Sequence, residues 1–285
     1  MSDMIDKPLD KPFFIRAAPL IFRSPKTLNR AGLSGCVKPK GVVIFDLDDL
    51  LVMNVHWYWA GWQMFRDVMV RLGFRKYKAE LVDRLNHFDA EGVKVHGFRK
   101  ERFGEAMGET YDYYCGLEGM EPDPETRKGV VDIGLSVYRH RPILFPGARE
   151  ALGWLRENGH TLYCVTKGDE DVQREKIRQC GIDSFFDGII FVPLSKAEAL
   201  ESILARHPDV PRDRISFVGN SMKDDMRPAV ELGINALLIY EYTWHFDEAE
   251  FEGMDSVVRL ESLGSIPDYF GQKSRYARAR IKPGE

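Results

Sequence analysis

The apolar positions of the chain follow two different rhythms. Short runs rich in branched and aromatic residues occur at 41–46 (GVVIFD), 161–166 (TLYCVT), 189–192 (IIFV), 214–219 (RISFVG) and 235–240 (NALLIY). The first of these shows no apolar–polar alternation, which predicts a strand buried on both faces, as in a parallel sheet. Between the runs the period lengthens and predicts helices over 147–158, 169–180, 195–206 and 225–232. Strand–helix repetition of this kind predicts an α/β fold, a doubly wound (Rossmann-like) parallel sheet with ligands at the carboxyl ends of its strands. One stretch interrupts it. From Met53 to Arg141 no comparable strand occurs, while Trp59, Trp62, Phe65, Met69 and Leu72 fall near one helical face. Further helices are expected at 76–88, 99–115 and 125–139. The expected organisation is a core of 41–53 and 142–262 carrying an inserted helical domain, 54–141. The aromatics Trp57, Tyr58, Trp59 and Trp62 read as bundle core, with a pocket wall as the alternative.

Charge adds the two ends. Residues 1–40 hold eight Lys/Arg against three Asp and are broken by Pro8, Pro12, Pro19 and Pro25, which predicts an irregular basic arm. Residues 263–285, with Lys273, Arg275, Arg278, Arg280 and Lys282, read as a basic tail. The whole chain is 44% hydrophobic and 29% charged with net charge −4, which predicts a globular fold and argues against a general nucleic-acid binder. No apolar run reaches the roughly 18 residues of a membrane span, and no continuous apolar signal core opens the chain. Cys36, Cys115, Cys164 and Cys180 are scattered without metal or redox spacing, so reduced thiols and a cytoplasmic location are expected. Oligomeric state is open.

The chemistry is concentrated where strands end. The first run stops on Asp46-Leu47-Asp48-Asp49, three carboxylates in four positions. Like charges this close raise one another's pKa unless a cation or proton sits among them. Hard oxygen ligands of this kind suit Mg²⁺; a solvated acidic turn is the alternative. The second run ends on Thr166-Lys167-Gly168, Ser195 and Lys196 follow the third, and the fourth ends on Gly219-Asn220-Ser221 with Asp224-Asp225 beyond. In a parallel sheet these ends share one edge, so Asp46, Asp48, Thr166, Lys196, Asn220 and Asp225 can converge on one cleft.

This order resembles the haloacid dehalogenase superfamily, mostly Mg²⁺-dependent phosphatases. FDLDDLL resembles its first motif, Thr166-Lys167-Gly168 the second, Lys196 the third, and Gly219-Asn220-Ser221-x-x-x-Asp225 the fourth; Phe145-Pro146-Gly147 matches its re-entry into the core. An insertion between the first and second motifs resembles the family's helical cap. The resemblance implies Asp46 as nucleophile, forming an aspartyl-phosphate, and Asp48 as general acid, then base, lending its backbone carbonyl to the metal. It implies Thr166 with the Lys167 amide as phosphate holders and Lys196 as the offset for charge on nucleophile and phosphate. The metal shell would be Asp46, Asp48, Asn220 and Asp225, with Asp224 as substitute in another register. The substrate would be a small phosphorylated metabolite.

Two positions depart from the pattern. Leu50 stands where the family usually carries Thr or Val, and Asn220 replaces the usual Asp, which predicts weaker metal affinity. A phosphomutase using the same residues, or a weakly active or non-catalytic phosphate-binding regulator, are the competing readings. Dehalogenation is disfavoured because Asp48 stands where dehalogenases carry a non-acidic residue.

Overall fold

The computed structural model describes residues 40–193, 195–240 and 252–271. The chain opens with β1 (Val42–Phe45), turns tightly through the acidic segment, and forms a two-residue strand, β2 (Val52–Met53). Four helices follow: α1 (Val55–Arg71), α2 (Leu81–His96), α3 (Arg102–Leu117) and α4 (Pro124–Ser136). A second short strand, β3 (Ile143–Leu144), pairs antiparallel with β2, so the chain enters and leaves the bundle side by side. Then come α5 (Ala148–Glu157), β4 (Thr161–Lys167), α6 (Glu170–Cys180), β5 (Gly188–Val192), α7 (Ala197–Arg206) and β6 (Ile215–Gly219). The described chain closes with α8 (Arg227–Glu231), β7 (Asn235–Ile239), β8 (Val258–Leu260) and α9 (Ile266–Gly271).

Six strands pair in the order β5-β4-β1-β6-β7-β8, parallel at every step. The expected α/β doubly wound sheet is therefore observed. β1 is central, and all four of its side chains are fully buried. Val43 and Phe45 pack with Leu152, Leu155 and Ile177 of α5 and α6, while Val42 and Ile44 pack with Leu200 and Ile203 of α7. Each such side chain is worth about 1.5–3 kcal/mol on burial, which explains the absence of alternation in the run. From β1 the chain moves outward through β4 to β5, then crosses to β6 on the other side. The strand order thus reverses between β1 and β6, where a doubly wound sheet opens a crevice.

The bundle has its own core of Phe65, Met69, Leu81, Leu85 and Tyr114, all fully buried. α3 and α4 meet at Gly104 and Gly134; a Cβ on Gly134 would lie 2.5 Å from the Gly104 Cα, so only glycine allows that approach. No helix among the described residues is long and apolar enough to cross a membrane.

Several elements differ from the sequence reading. The helix expected at 76–88 becomes a 3-10 turn, Phe74–Tyr77, followed by α2, because Phe74 turns into the bundle core and Leu81 and Leu85 supply the next buried pair. The helix expected at 225–232 is a π-turn, Met222–Met226, continuing into α8. Strands β2, β3 and β8 are too short to show a period. Residues 263–271, assigned to a basic tail, are a 3-10 turn and α9, whose Leu263 and Ile266 are buried against α5. The basic arm before residue 40, and Lys273 to Lys282, lie outside the described residues.

Candidate active site

Asp46 sits one residue past β1, and its amide donates to the Val218 carbonyl at 3.0 Å, which continues the β1–β6 ladder and fixes the backbone. Its side chain is nearly buried. Lys196, the residue that opens α7, places Nζ 2.6 Å from Asp46 Oδ1 and 2.7 Å from Asp225 Oδ1. Asp225 is fully buried, and its Oδ2 accepts the amides of Asn220 at 3.1 Å and Ser221 at 3.0 Å. The π-turn swings Asp225 back under the end of β6. Gly219 is needed there, since a Cβ would lie 2.4 Å from the Asp225 carboxylate.

The electrostatics follow from burial. Desolvation pushes the Asp46 carboxyl up to about 7, with Lys196 opposing the rise and Asp225 adding to it. Burial works against the Lys196 ammonium too, yet Asp225 and Asp46 outweigh it and push its pKa up, so it remains a cation. Losing the single cation of this buried group would leave two uncompensated acids facing each other, at a cost of about 3–5 kcal/mol, whereas without Asp46 the lysine still pairs with Asp225.

The other two acids of the turn have separate occupations. Asp49 adopts a left-handed φ of 56°, a conformation Asp tolerates better than most residues. Its Oδ1 accepts the amides of Asn54 and Val55, each at 2.8 Å, and so caps α1. Burial, with Asp48 adding, pushes its carboxyl up to about 6. Asp48 turns toward α6: Lys176 Nζ lies 2.7 Å from its Oδ1, and Gln173 Nε2 donates to its Oδ2 at 2.8 Å. The same Gln173 nitrogen reaches Thr166 Oγ1 at 2.7 Å and the Lys167 carbonyl at 3.0 Å. Leu50 is buried in the hydrophobic core beside Leu51 and Val52.

A cavity of about 500 Å³ lies between this edge and the bundle. Asp46, Asp48, Thr166, Lys167, Lys196 and Asn220 all line it. Asp225 supports it from behind. Asp224 also reaches the cavity, but it is only half-buried and pairs with Lys167 at 2.6 Å, so Asp225 is the acid that joins the buried group. The cap side is formed by Tyr58, Trp62, Asp89, Arg99, Arg102 and Tyr138, with the Tyr58 and Tyr138 hydroxyls 3.0 Å apart. The aromatic run therefore divides: Trp62 serves both core and cavity, Tyr58 faces the cavity, and Trp57 stacks on His140. Arg102 is 4% exposed, with Nη2 2.7 Å from Glu109 Oε2.

Gln173 and Lys176 were not visible as site residues. Their signal was their i, i+3 spacing on the helix that follows Thr166-Lys167-Gly168, which puts both on one face. Of the expected metal set, the oxygens that could hold a cation are the Asp46 carboxylate, the Asp48 main-chain carbonyl and the Asn220 amide oxygen, while both oxygens of Asp225 are engaged by Lys196 and two loop amides. This all-oxygen set suits a hard divalent cation, and the desolvated Asp46 carboxylate would be relieved by one. Among the described residues no three acidic, His or Cys side chains gather as a cage. Lys196 already bridges Asp46 and Asp225, and Asn220 contributes no charge, so the set is a low-charge one.

The chain is similar to known proteins in sequence and in fold. A glyceraldehyde 3-phosphate phosphatase from Pyrococcus abyssi is 23% identical over 69% of this chain and 79% of its own. An enzyme of the same name from Methanothermobacter thermautotrophicus is 24% identical over 76% of this chain and 93% of its own. The crystal structure of a haloacid dehalogenase-like family hydrolase from Xanthomonas campestris superposes with a TM-score of 0.65 at 21% identity, covering 80% of this chain and 89% of that one. The family model for haloacid dehalogenase-like hydrolases matches residues 41–233, a span that holds the acidic turn, the Thr166 strand end, Lys196 and the Asp225 turn, and the chain belongs to that family of enzymes.

Proposed function

We propose that the protein is a Mg²⁺-dependent phosphatase that acts on a small phosphorylated metabolite through an aspartyl-phosphate. The observation that carries the reading is the buried Asp46–Lys196–Asp225 group at the sheet's crevice, facing the same cavity as Thr166 and Asp48.

In the first step an Asp46 carboxylate oxygen bonds to phosphorus while the bond from phosphorus to the leaving oxygen breaks. Asp48, as general acid, delivers a proton to that leaving oxygen. In the second step water attacks phosphorus, Asp48 takes the proton released, and the Asp46–phosphorus bond breaks to give free phosphate and the original carboxylate. Thr166 and the Lys167 amide hold phosphoryl oxygens. Lys196, kept charged by its two acids, balances charge on the nucleophile and the transferring group. A bound Mg²⁺ would neutralise phosphoryl charge, held by Asp46, the Asp48 carbonyl and Asn220. Asp225, whose oxygens are taken by Lys196 and two loop amides, aims Asn220 and the lysine.

The cavity volume suits a small ester, and the two relatives are named for a phosphorylated three-carbon aldehyde. Cys115, Cys164 and Cys180 are buried as free thiols, which supports a cytoplasmic setting. The test is a panel of phosphate esters assayed with and without Mg²⁺, beside Asp46→Asn. Turnover that needs both Mg²⁺ and Asp46 is expected. Its absence across the panel would leave a phosphate-binding protein instead.

A further inference from the structure

We propose that Lys176 is a positioning residue that ties the acid–base carboxylate of Asp48 to the root of the helical cap. The inference rests on the phosphatase reading above and concerns a residue for which that reading has no use.

Lys176 lies one turn beyond the buried Gln173 on α6, and its ammonium touches two groups at once: Asp48 Oδ1 at 2.7 Å and Asn54 Oδ1 at 2.9 Å. Its side chain is 16% exposed, so the pair is shielded from solvent more than an ordinary surface ion pair. Asn54 occupies the N-cap position of α1, the first helix of the cap, where an Asn side chain normally accepts an amide of the first turn. Here it makes no capping hydrogen bond. Asp49 reaches in from the acidic turn and takes the amides of Asn54 and Val55. The Asn54 amide oxygen, which caps nothing, is held by Lys176.

The consequence is a continuous chain of contacts: cap helix, Asn54, Lys176, Asp48. Gln173 holds the second Asp48 oxygen, so α6 engages both oxygens of the carboxylate. To protonate a leaving oxygen, Asp48 must present one of those oxygens to the cavity. The acid's pose is then set by where the root of the cap stands, because moving Asn54 moves the cation that holds Asp48. Lys176 also borders the cavity, and in this scheme it acts through Asp48.

A general acid matters most when the leaving group is poor, and its full contribution is about 10²–10⁴-fold. The experiment compares kcat/KM, which reports the steps through transfer of the phosphoryl group to Asp46, for 4-nitrophenyl phosphate and for an alkyl ester, glycerol phosphate. In Lys176→Ala the aryl-to-alkyl ratio should rise by about tenfold or more, while Lys176→Arg, which keeps the charge, should restore most of it. Asn54→Ala, which cuts the chain on the cap side and leaves the Asp48 pair in place, should raise the ratio in the same sense by a smaller factor. It also stands in should Lys176→Ala fail to fold. Arg127→Ala, which breaks an ion pair with Asp112 on the cap away from the cavity, should leave the ratio unchanged. Wild-type turnover combined with an unchanged ratio in Lys176→Ala and Asn54→Ala would overturn the tether alone. A wild-type enzyme without Asp46-dependent turnover would overturn the phosphatase reading and the tether with it.

Discussion

The two ends of the same sheet bury polar groups in opposite ways. At the carboxyl end Asp46, Lys196 and Asp225 are all nearly or fully buried, and they stay together because one cation stands between two acids. At the amino end His160, just before β4, is 9% exposed and its Nδ1 has no hydrogen-bond partner. Burial, with the nearby Lys40 adding, pushes its pKa down to about 4, so the ring is held neutral. Asn235 satisfies main-chain carbonyls of Asp213 and Ile215 nearby, each at 2.9 Å, again without charge. Equal burial thus gives a charged, mutually compensated cluster at one edge and a neutral one at the other. The difference is the supply of opposite charge, and reactivity is concentrated where charge is retained.

The comparison can be broken most severely at the carboxyl end. Asp46→Asn removes the proposed nucleophile and should lower phosphate-ester turnover by at least about 10³-fold, while the melting temperature stays at or above that of the wild type. Lys196→Met leaves two carboxylates facing each other; activity should fall about 10²-fold or more, and denaturant unfolding should show a loss of about 3–5 kcal/mol.

The amino end gives a pH test with a definite sign. His160 has a folded pKa near 4 against an ordinary 6.5, so the unfolded chain binds the extra proton first. Its contribution to stability is complete above about pH 6.5 and is lost as pH falls toward 4. Between pH 7 and 5 the loss should be on the order of 1–2 kcal/mol. In His160→Phe, which keeps a ring against Phe270, that part of the pH dependence should vanish from unfolding curves. Asn220→Asp sharpens the contrast by adding a charge at the reactive edge. It should lower the Mg²⁺ concentration for half-maximal activity by roughly tenfold, since affinity follows ligand charge; an unchanged Mg²⁺ dependence would remove Asn220 from the metal shell.

What the sequence made legible is what strand ends make local. Asp46, Thr166, Lys196 and Asn220 each follow or flank an apolar run, and a parallel sheet places such positions on one edge whatever the loops do. Between Asp225 and Asp224 the motif spacing favours Asp225, and only the π-turn shows how that acid is brought inward, because a one-residue bulge leaves no trace in composition. Gln173 and Lys176 look like any polar pair on an exposed helix; only contact with a turn 125 and 128 positions away makes them part of the site. The burial of Arg102 is hidden for the same reason in the bundle, where Gly92 leaves space against its guanidinium and Glu109 pairs with it. Asp49 shapes the turn with its left-handed φ, and its second task of capping α1 depends on where the chain goes next.

The pairing of Val52 with Leu144 and of Met53 with Ile143 has a further consequence. The first and last residues of the inserted helices leave the core as neighbours in one small ribbon, so the whole insertion is attached at a single point of the framework. A lid joined in this way can be lengthened, shortened or exchanged as one contiguous piece, while the register of the six parallel strands and the spacing of their terminal side chains stay as they are. Variation of the bundle residues that face the cavity and preservation of the spacing at the sheet edge then become separate problems for the same gene, solved by different stretches of chain.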